Sequence, residues 1–410
     1  MKLNKTRRLR ALPIIAIAAL TGGPAAADIV TDWNIKACDI AVEAKLGPAV
    51  GNRVMAMTHL AIYEAVNAIT GRYPAGTLQP AATPGASIEA AVDAAGRATL
   101  SQLAPTQQGL IDAAYRATLA GVAESPAKAA GVAVGEKAAA AVLAGRSDDA
   151  IGGAESWRPN TAAGVYVPTT IPVALQWPQR KPWLMTSPAQ FRPAAPPALA
   201  SALWARDYNE IKAYGARTGS RRSPEQTEIA RFWEATMPPI YHGIVRSVSD
   251  QAGREPTQNA RLFAAVTQAM DDALIAVFDA KYHYNFWRPL TAIRNGDRDG
   301  NDATERDPAW LPFIETPMHP EYPCAHCTVA GAVGSVLLAE LGGAAAPPLS
   351  TSSSTAQGAV RRWSKVEDFI QEVSLARIYD GVHYRNSTEV GTALGRQVGE
   401  LVAAKYLRAK

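Results

Sequence analysis

Three cysteines in 410 residues are too few to build a disulfide scaffold. The missing second CxxC or HxxxH half argues against zinc at Cys324 and Cys327, and a thioredoxin-like reading lacks its βαβ context. Alternating β-branched runs are nearly absent, which argues against a sheet-based domain. No stretch reaches the roughly 18 uninterrupted apolar residues of a membrane helix, so no transmembrane anchor is expected. A genuine excess of positive charge is missing too. Lys2, Lys5, Arg7, Arg8 and Arg10 all precede Asp28, and without these five the chain has 36 basic against 37 acidic side chains. The formal charge of +4 therefore comes from the leader, and a nucleic-acid surface loses its electrostatic basis.

What is present begins with that leader. Residues 1–27 combine a basic start, a short apolar run from Leu12 to Leu20 and the small-residue site Ala25-Ala26-Ala27. This is the pattern of a signal peptide, so the protein is expected to be exported, periplasmic or secreted. Beyond it, Ala, Leu, Glu, Lys and Arg recur at helical spacing, and the expected fold class is all-α. Helices are predicted near 29–46, 49–69, 86–103, 106–122, 125–145, 201–215, 223–237, 257–284, 324–342, 358–380 and 387–408. Residues 28–200 and 201–410 read as two halves of one integrated domain. Between Gly145 and Ala200, nine prolines exclude helix, while Trp157, Trp177, Trp183 and Phe191 are too apolar for a free linker. An ordered strap packed across the helices is expected there. The run from Ala344 to Gln357 reads as a mobile surface loop.

Three segments carry candidate chemistry. In KYHYNFWRP, Lys281 and Arg288 stand seven residues apart, which on a continuous helix puts both cations on one face about 10 Å apart. Leu274, Val277 and Phe278 make that face apolar upstream. In ARIYDGVHYRN, Arg377 continues the apolar series Val366, Ile370 and Val373, so a guanidinium occupies a core slot and needs an anionic partner. Asp380-Gly381 is a helix stop that lets His383 turn back toward Arg377. In HPEYPCAHCTVAG, a helix starting near Cys324 would aim the N–H groups of Cys324, Ala325 and His326 at whatever lies before it, an anion site in form. For each segment taken alone, a solvated helix end or a satisfied core histidine explains the residues as well.

Taken together, Lys281 with Arg288-Pro289, then Pro323-Cys324-Ala325-His326, then Arg377 with His383, resemble the vanadium-dependent haloperoxidases and the acid phosphatases that share their fold, the type 2 phosphatidic acid phosphatase superfamily. The stretch RVMAMTHLAIYEAVNAI, the WRP at 157–159 and FRPAAPPALAS are similar to the bacterial haloperoxidase-like branch. The resemblance implies a large helical bundle with a tetrahedral oxyanion pocket. Vanadate would be the cofactor, bonded to His383, with Lys281, Arg288 and Arg377 on its oxygens and the amides of Cys324 and Ala325 as further donors. His326 would be the acid–base group, Lys281 would polarise hydrogen peroxide, and the substrates would be hydrogen peroxide and halide. His319 lies near where such enzymes modulate halide use. The same cage fits a phosphate ester, with His383 as nucleophile and His326 as acid and no cofactor. A third reading is a noncatalytic oxyanion-binding protein. Three departures stand out: Cys324 and Ala325 replace Ser-Gly before the histidine, Ala376 replaces a serine before the arginine, and Ser387 replaces an aspartate. Cys324 would be a poorer donor than serine, prone to thiolate formation or to pairing with Cys327 or Cys38.

Overall fold

The computed structural model describes residues 28–73, 83–149, 151, 157–235 and 238–407; the signal-peptide pattern at 1–27 lies outside them. Helices α1 (Ile29–Glu43), α2 (Pro48–Thr70), α3 (Ile88–Leu103), α4 (Gln108–Leu119) and α5 (Pro126–Ala144) precede the strap. After it come α6 (Ala202–Tyr214), α7 (Pro224–Trp233), α8 (Pro238–Ser249), α9 (Pro256–Tyr284), α10 (Pro289–Arg294), α11 (Ala325–Leu341), α12 (Val366–Tyr379) and α13 (Arg385–Tyr406). The fold is all-α, with one antiparallel pair, β1 (Leu349–Ser352) and β2 (Val360–Trp363). Helix starts follow local chemistry. Asp28, Ser87, Ser125, Ser201 and Ser223 accept orphan backbone N–H groups, and proline occupies the first turn of α2, α5, α7, α9 and α10.

Helix α9 is the axis. Its 29 residues are buried on nearly every side from Thr257 to Lys281, the signature of a helix surrounded by others. Helices α2, α11 and α13 pack around it. Helices α11 and α13 cross at backbone contact: a Cβ on Gly391, Gly395 or Gly399 would collide with the carbonyl oxygens of Cys324, Thr328 and Ala332. This fixes the start of α13 against the start of α11, and with it the separation of the His383 and His326 segments.

The strap is ordered, and acids of α9 hold it. Asp271 takes a bidentate grip on Arg180 at 2.7 and 2.9 Å, and Asp272 accepts the backbone N–H groups of Trp183 and Leu184 at 2.7 and 2.9 Å. Asp279 holds Arg192 at 2.7 and 2.8 Å. Trp177 fills the core beneath the strap.

Two expectations from sequence need correction. The run 344–357 is not a mobile loop: it holds β1, with Leu349 fully buried, and β2 replaces the start of the helix placed at 358–380. The alternating burial of Leu349 and Thr351 was hidden among serines. Helices α8 and α10 were not predicted; they begin at Pro238 and Pro289, and a helix start is a place where proline's missing N–H is not needed.

A buried polar cluster between α1, α2 and α8 sets part of the pH response. Asn34 Nδ2 lies 3.0 Å from His59 Nε2 and 2.8 Å from His242 Nδ1, while its Oδ1 accepts from Arg246 at 2.8 Å. The amide can donate to both rings only if those nitrogens are unprotonated, so both histidines are neutral. Burial holds His59 down at about 3 and His242 well below its ordinary value. The unfolded chain takes up these protons below pH 6.5 and the folded chain does not, so stability falls as pH drops through that range, by about 1.4 kcal/mol per pH unit for each group. Denaturant titrations at pH 6.5 and 4.5 are expected to show a shallower acid loss in His59→Gln, by roughly 2–3 kcal/mol. An unchanged slope would count against the neutral assignment.

Candidate active site

Lys281 lies in the last turn of α9, fully buried, and Nζ donates to the carbonyls of Pro320 at 2.9 Å and Glu321 at 2.8 Å. The helix stops three residues later. Asn285 adopts a left-handed conformation (φ 50), Phe286 pairs with Val165 from the strap, and Arg288 enters as the residue capping α10. Lys281 and Arg288 therefore do not share one helical face; a turn between two helices brings them together. Arg288 donates through Nε to His319 O at 2.9 Å and through Nη1 to Val382 O at 2.9 Å, with Nη1 also 3.3 Å from His383 Nε2. Its Nη2 stands 3.0 Å from His319 Nδ1.

Arg377 is 1% exposed on α12 and donates to Trp233 O at 2.9 Å. Its anionic partner is Asp380, 2.7 Å away in an ion pair whose angle makes no hydrogen bond. Gly381 (φ 79) then turns the chain, and the amide of His383 folds back onto Arg377 O at 3.3 Å. Glu321 went unrecognised in the sequence. Fully buried, it accepts from His383 Nδ1 at 2.8 Å and from the Tyr384 amide at 3.1 Å. The only local signal was a single charged residue inside the HPEYP run.

The electrostatics are those of a cage with too little negative charge. Burial, reinforced by Arg288, drives Lys281 well below its ordinary value, and Arg288 is itself lowered to about 10. His383, His326 and His319 are held down by burial and by the surrounding cations. Burial pushes the carboxyls of Glu321 and Asp380 up to about 7, against the pull of Lys281 and Arg288 on the first and of Arg377, Arg222 and Arg231 on the second. Arg377 Nε and His326 Nε2 are buried with no hydrogen-bond partner among the described residues. Arg377, His326 and His383 line one cavity of about 440 Å³ together with Ala325 and His319. Lys281 and Arg288 stand behind that lining, on the carbonyls of 319–321. The unpartnered Nε–H of Arg377, together with the buried cations Lys281 and Arg288, fits a bound oxyanion, which would accept that free proton and whose charge would compensate the cage.

Of the cysteine alternatives left open by the sequence, the structure has the pairing with Cys327. Cys324 is bonded to Cys327 in a disulfide, and Cys38 is free, buried and raised to about 12 by burial. Cys324 caps α11 through Sγ, which accepts the Cys327 amide at 3.2 Å, and its own amide donates to Ser387 O at 3.2 Å. It thus has neither a thiol proton nor a free N–H for an oxyanion, and no thiolate to repel one. The amides of Ala325 and His326 keep no partner among the described residues. Thiol titration of the denatured, unreduced chain is expected to count one group, and three after reduction; three at the outset would remove the disulfide.

Residues 261–409 match the family model of the VCPO second helical-bundle domain. The chain is 34% identical over 144 residues to the vanadium chloroperoxidase of Curvularia inaequalis, an alignment covering 29% of this chain and 23% of that protein. It thus spans about a quarter of the length of this curated relative. A solved bacterial vanadium-dependent iodoperoxidase superposes with a TM-score of 0.79 at 23% identity, covering 93% of this chain and 97% of the other. The apo and holo forms of a bacterial vanadium-dependent chloroperoxidase give TM-scores of 0.70 and 0.67 at 16% and 18% identity, over 88% of this chain and 94% and 93% of theirs.

Proposed function

We propose that this chain, whose residues 261–409 belong to the family of the VCPO second helical-bundle domain and whose fold is that of the vanadium haloperoxidases, is itself a vanadium-dependent haloperoxidase, oxidising halide with hydrogen peroxide. The observation that carries this reading is the Glu321–His383 hydrogen bond at 2.8 Å. A carboxylate on Nδ1 keeps the proton there and leaves Nε2 unprotonated, with a lone pair that only Arg288 Nη1 approaches among the described residues, at 3.3 Å, the form a metal-ligating imidazole needs.

Vanadate would be held by His383 Nε2, by the charges of Lys281, Arg288 and Arg377, and by the amides of Ala325 and His326. When bound, it supplies a Lewis-acidic centre that activates hydrogen peroxide toward halide. The protein's own part is electrostatic and protonic. Three buried cations stabilise negative charge in a site shielded from water, where each counts for more than at a surface. His326, kept neutral by burial beside Arg377, lines the cavity, and its Nε2, buried with no partner among the described residues, would accept or return the proton that peroxide chemistry requires. Asp380 holds Arg377 in place rather than reacting. The leader pattern at 1–27 supports placing the enzyme outside the cytoplasm; among the described residues no helix is long and apolar enough to cross a membrane.

The reading predicts saturable binding of one vanadate per chain in equilibrium dialysis. Phosphate, of the same shape and similar charge, is expected to compete. Binding of vanadate that phosphate leaves untouched, or no binding at all, would overturn the assignment of this cage.

A further inference from the structure

Four helices of this fold begin in the same way. Ser87, Ser125, Ser201 and Ser223 each cap a helix by accepting the amide three residues on, at 3.2, 3.2, 3.2 and 3.1 Å. Helix α11 has the same arrangement with sulfur in place of oxygen: Cys324 Sγ accepts the Cys327 amide at 3.2 Å, and a covalent bond joins the same two residues. Sulfur is a weak acceptor. The disulfide closes covalently a turn that the serine hydroxyls close by hydrogen bonding alone.

Global stability does not account for this bond. A cross-link acts mainly by restricting the unfolded chain, and a sequence separation of 3 leaves little to restrict. Both cysteines are fully buried, so the bond does not tie down a loose surface segment either. What it encloses is Ala325 and His326, the two residues between the cysteines, and both line the cavity before the cage. The small ring is held from outside as well. The Cys324 amide donates to Ser387 O at 3.2 Å, the Cys324 carbonyl accepts from Thr328 N at 3.1 Å and from its Oγ1 at 2.8 Å, and the His326 carbonyl accepts from Tyr241 Oη at 3.2 Å. The amides of Ala325 and His326, the first two of the helix, are left without a partner among the described residues.

We propose that the Cys324–Cys327 disulfide is a positioning element of the oxyanion cage, fixing the free amides of Ala325 and His326 in the first turn of α11 before any anion arrives. Donors already held in place bind more tightly than donors that the ligand must first order. Neither sulfur touches the oxyanion; both cysteines act through the two residues between them. Cys327 thereby joins the residues on which anion binding depends, although it neither lines the cavity nor carries a charge. The proposal rests on the reading of the cage as an oxyanion site and is independent of halide oxidation.

Calorimetric titration of the purified chain with inorganic phosphate, beside thermal unfolding of each variant, tests it. Cys324→Ala with Cys327→Ala is expected to weaken phosphate binding about tenfold, the lower end of what loss of an outer orienting group costs in metal affinity. Cys324→Ser with Cys327→Ala is expected to recover most of that loss, since serine caps such a turn four times elsewhere in this fold. Ser201→Ala removes an ordinary cap outside the cage, and it is expected to lower thermal stability while leaving phosphate affinity unchanged. Unchanged affinity in the double alanine overturns the proposal. So does affinity that merely follows thermal stability through all the variants, Ser201→Ala included, or that serine fails to recover. Should the double alanine not fold, Cys327→Ala, which keeps sulfur at the cap, is titrated in its place with the same outcomes. A wild-type chain that binds neither phosphate nor vanadate removes the cage reading itself, whereas wild-type binding with an indifferent double alanine removes only the positioning role.

Discussion

His383→Ala is expected to abolish vanadate-dependent bromide oxidation, a loss beyond the roughly 10²–10³-fold that removal of one oxyanion donor costs. On the proposed reading His383 is the residue that would bond vanadate. Its Nε2 stands 3.3 Å from Arg288 Nη1, and its other nitrogen is committed to Glu321. The substitution also strips a buried carboxylate of its partner, and breaking a buried pair costs about 3–5 kcal/mol. A collapsed fold could therefore imitate a lost ligand. His383→Gln separates the two effects, because its amide can still donate to Glu321 but provides no imidazole lone pair. Both variants are expected to be inactive, with the glutamine form keeping the wild-type circular dichroism spectrum and the larger share of thermal stability. Activity retained in His383→Gln would remove the histidine from the role of ligand.

Glu321→Gln has the second largest expected effect and pulls binding and stability apart. Vanadate affinity is expected to fall about 10–100-fold, the usual cost of losing the carboxylate that orients a metal-bound histidine. Stability without vanadate is expected to rise. Burial holds the Glu321 carboxyl at about 7, above its ordinary 4.5. The folded chain therefore keeps this proton to higher pH than the unfolded chain does, and the group's contribution to stability is lost as pH climbs from about 4.5 through 7. By pH 8 that loss is about 3 kcal/mol, and a neutral glutamine does not incur it. Denaturant titration at pH 5 and pH 8 reads the sign: the variant should gain on the wild type at the higher pH. A variant that is both less stable at pH 8 and unchanged in vanadate affinity would show that Glu321 is a packing residue only.

The candidate site was legible in sequence to the extent that local periodicity could reveal it. Arg377 on the stripe of Val366, Ile370 and Val373 was visible as a cation in a core slot, and it is 1% exposed. Lys281 continued the stripe of Leu274 and Val277 in the same way. Arg288 was chosen through its spacing from Lys281, but a left-handed turn at Asn285 places it, since helical geometry ends at Tyr284. Asp380 was read as a helix stop and is also the acid beside Arg377. Glu321 could not be found by periodicity, because its partner His383 lies 62 residues away. The pairing of Cys324 with Cys327 rather than Cys38 was equally open, since sequence does not report that Cys38 is buried on α1. Helix existence followed from composition and apolar spacing. The β1–β2 pair escaped because its short, serine-rich strands carry too few apolar residues to register as alternation.

These cases share one physical distinction. Features set within a few residues, such as caps, stripes and helix stops, are recorded in local chemistry. Features set by burial across the fold, including the raised carboxyls of Glu321 and Asp380 and the orphaned atoms of Arg377 and His326, exist only once the helices are assembled.

The most direct test of the account is a parallel assay of the purified chain with and without added vanadate, bromide oxidation by hydrogen peroxide in one set and aryl-phosphate hydrolysis in the other. Bromide oxidation is expected to require vanadate and to saturate with it, while phosphate-ester hydrolysis stays at the level of the His383→Ala control. Hydrolysis that vanadate inhibits, with no bromide oxidation at any pH, would make this cage a phosphatase, and silence in both assays would leave it an oxyanion-binding site without turnover.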